Sequence, residues 1–203
     1  MPSSPCRSNP GGPEKLAVFL RGTPDARVFT HPIEHPSRPT GFCPCDGAFL
    51  KSLWFYLKAG LLQFLMKQPY NKPKIWYLRK LGVQIGENVY ISVGAYIDPL
   101  FPELLCIEDN VMIGMEARII LHEFAIGEFR AGRITLRKGC LLGGYCLLRP
   151  GIEVGEYASV APASVVIRDV PAYATAIGSP ARNILKGTPD KNEQTPEPAN
   201  DDQ

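Results

Sequence analysis

The hydrophobic and polar positions follow two different periods along the chain. The segment Phe49–Met66 predicts a helix, because its apolar residues recur three and four positions apart. They are Leu50, Leu53, Trp54, Leu57, Leu61, Phe64 and Leu65. A second helix is predicted over 73–80, with proline in its first turn and Gly82 beyond its end. The outer segments, 1–48 and 187–203, lack either period and are rich in Pro and polar residues, which predicts little order.

From Ile85 onward the period changes to six residues. Eleven hexads fit one register and open with an aliphatic residue: Ile85, Ile91, Ile107, Ile113, Ile119, Leu136, Leu142, Leu148, Val154, Val160 and Val166. A small or branched residue recurs at the fifth place: Val89, Ala95, Val111, Ala117, Cys140, Cys146, Ala158, Ser164 and Val170. Glycine often stands second: Gly86, Gly114, Gly143 and Gly155.

A six-residue period predicts a triangular solenoid, in which each hexad makes one short strand and one corner. Three hexads complete a coil of about 18 residues. We expect the opening aliphatic residue to point inward, the fifth-place residue to fill the corner, and the glycine to support the backbone conformation of the turn.

Two interruptions break this register, at 98–106 and 125–135, and loops that leave a rigid scaffold often build sites. Of three histidines in the chain, His122 alone lies within the repeats, where the second loop leaves. An imidazole near its ordinary pKa of about 6.5 can take a proton from a hydroxyl or amine. The simpler interpretation is a surface histidine at the start of a loop.

Composition excludes some classes of function. The 22 basic and 20 acidic residues leave a net charge of +2, so no strong field attracts nucleic acid. Six cysteines without a secretory signal predict a cytoplasmic protein with reduced thiols. Cys43 and Cys45 are expected to be free thiols, because further metal ligands are lacking nearby.

The helix Phe49–Met66 leaves three interpretations open. It could cross a membrane, although Lys51, Lys58 and Gln63 interrupt a segment already short for a bilayer. It could lie on a membrane as an interfacial helix, which would make peripheral membrane contact. It could also pack on its own domain or across a subunit contact.

Residues 78–185 resemble the hexapeptide-repeat acyltransferases, in particular the galactoside and maltose O-acetyltransferase group. The resemblance lies in LGVQIGENVYI, IDPLFPELLCIEDNVMIG, LHEF, LRPGIEVGEYASVAPASVVIRDVPAY and the ending AIGSPARNI. It implies an all-β solenoid, a left-handed parallel β-helix over 83–186. N-terminal helices within 49–82 and a short C-terminal helix would accompany it.

The resemblance also implies a direct transfer of an acyl group from coenzyme A. His122 stands where the family has its catalytic histidine, and Asp98 where the galactoside and maltose enzymes have an acceptor-contacting aspartate. Asp98 could alternatively orient the imidazole, or serve as a turn residue before Pro99. Glu123 is a further candidate to orient His122.

The family binds coenzyme A in a groove between two subunits, so the resemblance implies a homotrimer. The matching positions here are Gly144, Pro162, Ile167, Arg168 and Arg182. Both arginines are suited to pair with the phosphates of acetyl-CoA or another acyl-CoA. Pro162 departs from the family pattern and removes one backbone N–H donor from the cofactor groove.

The expected function is therefore acyl transfer, most simply O-acetylation, onto a sugar, nucleotide-sugar or glycan precursor, without a required metal. The alternative is a trimeric β-helix scaffold or binding protein that does not depend on His122. A zinc carbonic anhydrase on this fold would need three histidine ligands from adjacent coils, and the repeats supply one.

Overall fold

The computed structural model describes residues 12–20, 26–32 and 49–185. Three α-helices and 17 strands occur in this part of the chain. In chain order they are α1 (Gly12–Leu20), β1 (Val28–Pro32), α2 (Phe49–Met66), α3 (Asn71–Lys80), β2 (Gln84–Ile85), β3 (Tyr90–Ile91), β4 (Tyr96–Ile97), β5 (Leu105–Ile107), β6 (Met112–Ile113), β7 (Arg118–Ile119), β8 (His122–Ala125), β9 (Glu128–Gly132), β10 (Ile134–Leu136), β11 (Leu141–Leu142), β12 (Leu147–Leu148), β13 (Glu153–Val154), β14 (Ser159–Val160), β15 (Val165–Val166), β16 (Ala174–Gly178) and β17 (Ala181–Leu185).

The predicted solenoid is present and has three parallel faces. The first face has the strand order β13-β10-β5-β2, the second runs from β16 through β14, β11 and β6 to β3, and the third is β15-β12-β7-β4. The register places hexad openings directly above one another, as in Ile119, Leu148 and Val166 on the third face. These aliphatic side chains point inward and are buried, apart from the partly buried Ile85 at the first coil. They form the single column of apolar side chains that stabilises the coils.

The corners confirm one expectation and correct another. All nine fifth-place residues are buried, including the Cys140 and Cys146 side chains. The left-handed backbone, however, falls on the fourth place of the hexad, as at Asn88 and Tyr157, and not on the second-place glycines. A Cβ at Gly114 would instead lie 2.6 Å from the Gly144 nitrogen in the next coil. Glycine is needed there because neighbouring coils approach closely.

The N-terminal region is more regular than the sequence predicts. Residues 1–48 were expected to lack order, but α1 and β1 occur within them. Strand β1 pairs antiparallel with β9, about 100 residues later, from Val28 opposite Gly132 to Pro32 opposite Glu128. A five-residue strand whose partner lies this far along the chain leaves no local period to detect. The Cys43 and Cys45 prediction lies outside the described residues.

Helix α3 packs on the first coil of the solenoid, and α2 packs on α3. Helix α2 has the bounds that the apolar spacing predicts, and α3 begins two residues before its predicted start. Buried Lys74 of α3 donates from Nζ to the carbonyl oxygens of Ile91 and Ser92, at 3.0 and 3.1 Å. Burial lowers the pKa of this amine. No helix within the described ranges has the length and apolarity needed to cross a bilayer.

The C-terminal end of the solenoid closes with strands. The predicted short C-terminal helix is wrong for the described residues, because Ala181–Leu185 is strand β17 and pairs antiparallel with β16. The cis peptide between Ser179 and Pro180 lies in the turn of this hairpin. Pro180 in the turn cannot donate a backbone hydrogen bond to a helix, and β16 offers an edge with which a returning strand can pair. Both features favour a strand over a helix. The predicted disordered tail, 187–203, lies outside the described residues.

Candidate active site

The stacking of two coils brings Asp98 and His122 together. Asp98 directly follows β4, and His122 lies three residues beyond the end of β7, the strand that pairs with β4 in the next coil. Both residues therefore leave the third face at the same corner. The loops that interrupt the hexads begin at these two positions, so the rigid coils position side chains that the loops then surround.

The Asp98 carboxylate is buried and fully bonded. One oxygen, Oδ1, accepts from the backbone N–H of Leu100 at 2.9 Å, which is the local turn expected of an Asp before proline. The other, Oδ2, accepts from the backbone N–H groups of Leu121 and His122 at 3.1 and 3.2 Å. The ring Nδ1 of His122 lies 2.5 Å from the same oxygen. Asp98 thus orients the imidazole and also fixes the backbone that carries it.

This geometry determines which imidazole nitrogen can act as a base. A carboxylate accepts hydrogen bonds only, so Nδ1 of His122 carries the proton and Nε2 has the free lone pair. The His122 side chain is 22% exposed, whereas the Asp98 side chain is 2% exposed. An acceptor from solvent can therefore reach His122, while Asp98 stands behind it.

Aromatic rings enclose the imidazole. The centroids of Phe101, Phe124 and Phe129 lie 5.7, 5.6 and 6.2 Å from the His122 ring. Phe129 is buried, whereas Phe124 is exposed at the hairpin of β8 and β9. Burial, with a smaller contribution from the Asp98 charge, raises the pKa of nearby Tyr96. The sequence did not single out these residues, because their proximity depends on how the two loops fold over the corner.

Glu123 does not orient His122, contrary to the expectation. Its carboxylate binds Arg149, with Nη2 at 2.5 Å and Nε at 3.1 Å from the two oxygens. Arg130 of β9 lies 3.7 Å from the same carboxylate. Successive residues of a strand point to opposite sides, so the Glu123 side chain of β8 faces away from Asp98, the carboxylate that contacts His122. This pairing raises the pKa of Arg149 and ties the hairpin to the following coil.

The register could have revealed Arg149 in advance. Leu148 pairs with Ile119, so Arg149 stacks at the corner where His122 leaves the preceding coil. The pairing of Arg149 with Glu123 could not be predicted, because no hexad pattern shows that the β8–β9 hairpin turns outward.

The five positions predicted to bind coenzyme A lie in three places. Gly144 and Pro162 occupy neighbouring coils of one corner, where the Ala163 N–H donates to the Gly144 carbonyl oxygen at 2.9 Å. Ile167 and Arg168 follow β15 at the corner that also carries His122, and Arg182 lies on β17. The third face separates the corner of Gly144 and Pro162 from the corner of Ile167 and Arg168. The structure therefore does not gather the five positions into one pocket of a single chain.

The exposed guanidinium groups of Arg168 and Arg182 remain able to meet phosphate oxygens from solvent. Among the described residues, no group of three or more His, Cys, Asp and Glu side chains is placed to hold a metal ion.

Sequence relatives are acetyltransferases by name. A Bacillus subtilis protein assigned as an acetyltransferase is 29% identical over 158 residues, which cover 72% of this chain and 91% of that protein. The galactoside O-acetyltransferase of Escherichia coli is 25% identical over 119 residues, 56% of this chain and 58% of that enzyme. No protein-family model matches the chain.

A solved structure shares the fold. It is a hexapeptide-repeat acetyltransferase of Vibrio cholerae in complex with acetyl-CoA, with a TM-score of 0.57 at 21% identity. The match covers 70% of this chain and 93% of that one. The common fold is the left-handed parallel β-helix, as the resemblance implied. The chain is therefore similar in sequence to acetyltransferases, the galactoside O-acetyltransferase among them, and it has the fold of a hexapeptide-repeat acetyltransferase.

Proposed function

We propose that this acetyltransferase moves the acetyl group of acetyl-CoA to a hydroxyl or amine of a sugar, nucleotide-sugar or glycan precursor, with His122 as the general base. The observation that carries the proposal is the contact between the His122 ring and the buried Asp98 carboxylate. It leaves Nε2 of an accessible imidazole free to take a proton at the corner where both loops meet.

The proposed reaction needs no covalent acyl-enzyme. Nε2 of His122 takes the proton of the acceptor O–H or N–H while the oxygen or nitrogen attacks the thioester carbonyl. The tetrahedral intermediate collapses with cleavage of the carbon–sulfur bond. The coenzyme A thiolate leaves and receives the proton from the imidazolium. Throughout, Asp98 stabilises the positive charge on His122.

The sugar class of acceptor is supported by two observations. One relative acts, by its name, on a galactoside. The exposed ring of Phe124, 5.6 Å from the His122 centroid, offers an apolar surface beside the base, and apolar surfaces beside a few polar groups are typical of small-molecule sites.

We further propose a homotrimer that acts in the cytoplasm. The outward residues Tyr90, Met112 and Leu141 stack in register on β3, β6 and β11 of the second face and are 40% to 50% exposed. Such an apolar row on a parallel sheet is suited to a subunit contact. A second subunit would also complete the cofactor groove that one chain leaves divided among three places.

The first test is calorimetric titration of acetyl-CoA into the wild-type protein and His122→Ala. We expect both to bind, because His122 acts on the acceptor. A panel of sugars and nucleotide-sugars is then screened by release of the free thiol, and only the wild type should turn over. A folded protein that does not bind acetyl-CoA contradicts the proposal and supports the non-catalytic scaffold.

A further inference from the structure

Helix α2 is turned with its apolar side away from the protein. Leu62 and Met66 are buried, and Gln63 is partly buried beside them. The side chains that point outward are 45% to 75% exposed: Leu50, Leu53, Trp54, Tyr56, Leu57, Leu61 and Phe64. Helices of soluble domains normally bury such a face. The outward row from Leu50 to Phe64 is about 21 Å long. It forms a large exposed apolar surface.

The same part of the chain carries only positive charge. Residues 49–86 contain seven Lys and Arg residues and no Asp or Glu. The following residues, 87–185, contain eight Lys and Arg residues against 11 Asp and Glu residues, which is a net charge of −3. Lys74 is buried, but the side chains of Lys58, Lys67, Lys72, Arg79 and Lys80 are exposed. Between residues 49 and 185 the protein is therefore electrically polarised, with α2 and α3 on the positive side and the solenoid on the negative side.

Helix α3 places its basic residues around a tryptophan. Lys72, Trp76 and Lys80 recur four residues apart on its outward side, and Lys80 Nζ lies 6.0 Å from the Trp76 ring centroid. With Arg79 they line one wall of an open groove of about 760 Å³ between α3 and the first coil. Ammonium and guanidinium groups around an aromatic ring suit anionic headgroups at a membrane interface.

We propose that these two helices dock the enzyme on the surface of an anionic lipid bilayer. We name this region the α2–α3 surface: the outward residues of α2, with Lys72, Trp76, Arg79 and Lys80 of α3. Helix α2 lies in the plane of the interface with its apolar row among the acyl chains, and the cations of α3 contact lipid phosphates. Trp54, Tyr56 and Trp76 occupy the headgroup level, where aromatic side chains concentrate.

Charge favours this occupant over a symmetric contact with a second copy. Two identical α2–α3 surfaces would bring together two groups of cations, with Glu87 as the single acidic residue that lines the groove beside each group. A bilayer surface supplies both the apolar phase and the negative charge. The inference does not rest on the proposed reaction, because it uses no residue of the His122 site.

The test uses the full chain and vesicles of phosphatidylcholine, with and without about 30% phosphatidylglycerol. Both tryptophans of the protein lie on the α2–α3 surface, so their fluorescence reports contact directly. We expect a blue shift and co-flotation with the anionic vesicles, and binding at least about tenfold weaker to the neutral ones or in about 1 M salt. A wild-type protein that binds neither vesicle overturns the proposal.

Two double variants separate the apolar and the charged contributions. Leu57→Glu with Phe64→Glu changes exposed residues only and should weaken binding to anionic vesicles by about tenfold or more. Lys72→Gln with Lys80→Gln should weaken it by about thirtyfold, from about 1 kcal/mol for each cation lost. The matched control is Leu185→Glu, an exposed apolar residue of β17, which should bind like the wild type.

Light scattering without lipid identifies the competing occupant. If Leu57→Glu with Phe64→Glu lowers the number of subunits and the wild type does not bind vesicles, a second copy covers α2 and the proposal is wrong. Vesicle binding that both double variants retain in full also overturns it.

Discussion

Asp98 holds His122 twice, once through the ring and once through the backbone. The same oxygen, Oδ2, lies 2.5 Å from Nδ1 and 3.2 Å from the backbone nitrogen of His122. Ring orientation and loop position therefore depend on one carboxylate. Because a third bond from the Leu121 N–H also ends on this oxygen, Asp98 cannot move without moving the start of β8.

Asp98→Asn should lower kcat by about 10²- to 10⁴-fold, since an amide cannot both accept these bonds and stabilise a protonated imidazole. Its amide N–H₂ would also face backbone donors, so thermal unfolding must be measured on the same preparation. Acetyl-CoA affinity should not change. A variant that keeps more than half the wild-type kcat would show that Asp98 has no part in the proton transfer.

Glu123→Gln is the matched control at the neighbouring position. It removes the same charge but disturbs only the pairing with Arg149 and Arg130, so we expect kcat to stay within about fivefold of the wild type. Steady-state kinetics on both variants make the comparison. If Glu123→Gln loses as much activity as Asp98→Asn, the orienting role belongs to both carboxylates.

The two core thiols should make the protein less stable in alkaline solution. Burial raises the pKa of Cys140 and Cys146 from 9.0 to about 12. Between these values the unfolded state binds fewer protons than the folded state, so the free energy of unfolding falls as pH rises, by up to about 1.4 kcal/mol per pH unit for each thiol. Denaturant titrations above pH 9 should show a shallower fall for Cys140→Ala with Cys146→Ala. Parallel curves would mean that other groups cause the loss.

Gly114→Ala and Gly60→Ala should change stability in opposite directions. A Cβ at Gly114 meets the Gly144 nitrogen at 2.6 Å and the Leu142 carbonyl oxygen at 2.7 Å, so we expect a loss of about 1–3 kcal/mol. A Cβ at Gly60, within α2, meets nothing within 4 Å and should add about 0.5–1 kcal/mol. Urea unfolding measures both. Equal changes in the free energy of unfolding would show that the coils at Gly114 and Gly144 can move apart to accept the added methyl group.

The repeats were predictable because the place of a residue within its hexad indicates whether its side chain points inward. Ile119 and Leu148 point inward for the same local reason, and their register follows from the count of residues between them. His122 could be selected because it is the histidine within the repeats and lies just before the second interruption of that count. The role of Glu123 could not be predicted correctly, since it depends on the β8–β9 pairing outside the hexad pattern. Strand β1 was missed because its partner, β9, lies about 100 residues away.

Strand β1 should stabilise the β8–β9 hairpin, which carries His122. Phe29 contacts Phe19 and Phe129, at 5.8 and 6.4 Å between ring centroids, so Phe29→Ala should destabilise this region by about 1–3 kcal/mol. Hydrogen exchange at the β9 amides should quicken, and kcat should fall. Thr30→Ala, an exposed residue of the same strand, is the control and should leave both unchanged. Unaltered exchange in Phe29→Ala would mean that β9 is stable without β1.

The pairing of β1 with β9 also orders events during synthesis. Each coil contacts the coil before it, so the solenoid can assemble as it leaves the ribosome. Strand β1, in contrast, can pair only after β9 has been synthesised. The carbonyl oxygen of Phe19 likewise gains its partner only with Arg133, whose Nη2 donates to it across 114 positions of sequence. Such distant closures form late because they carry the largest loop entropy. A nascent chain stopped before β9 would leave β1 without its partner strand, and the enclosure of His122 could form only after β9 had been synthesised.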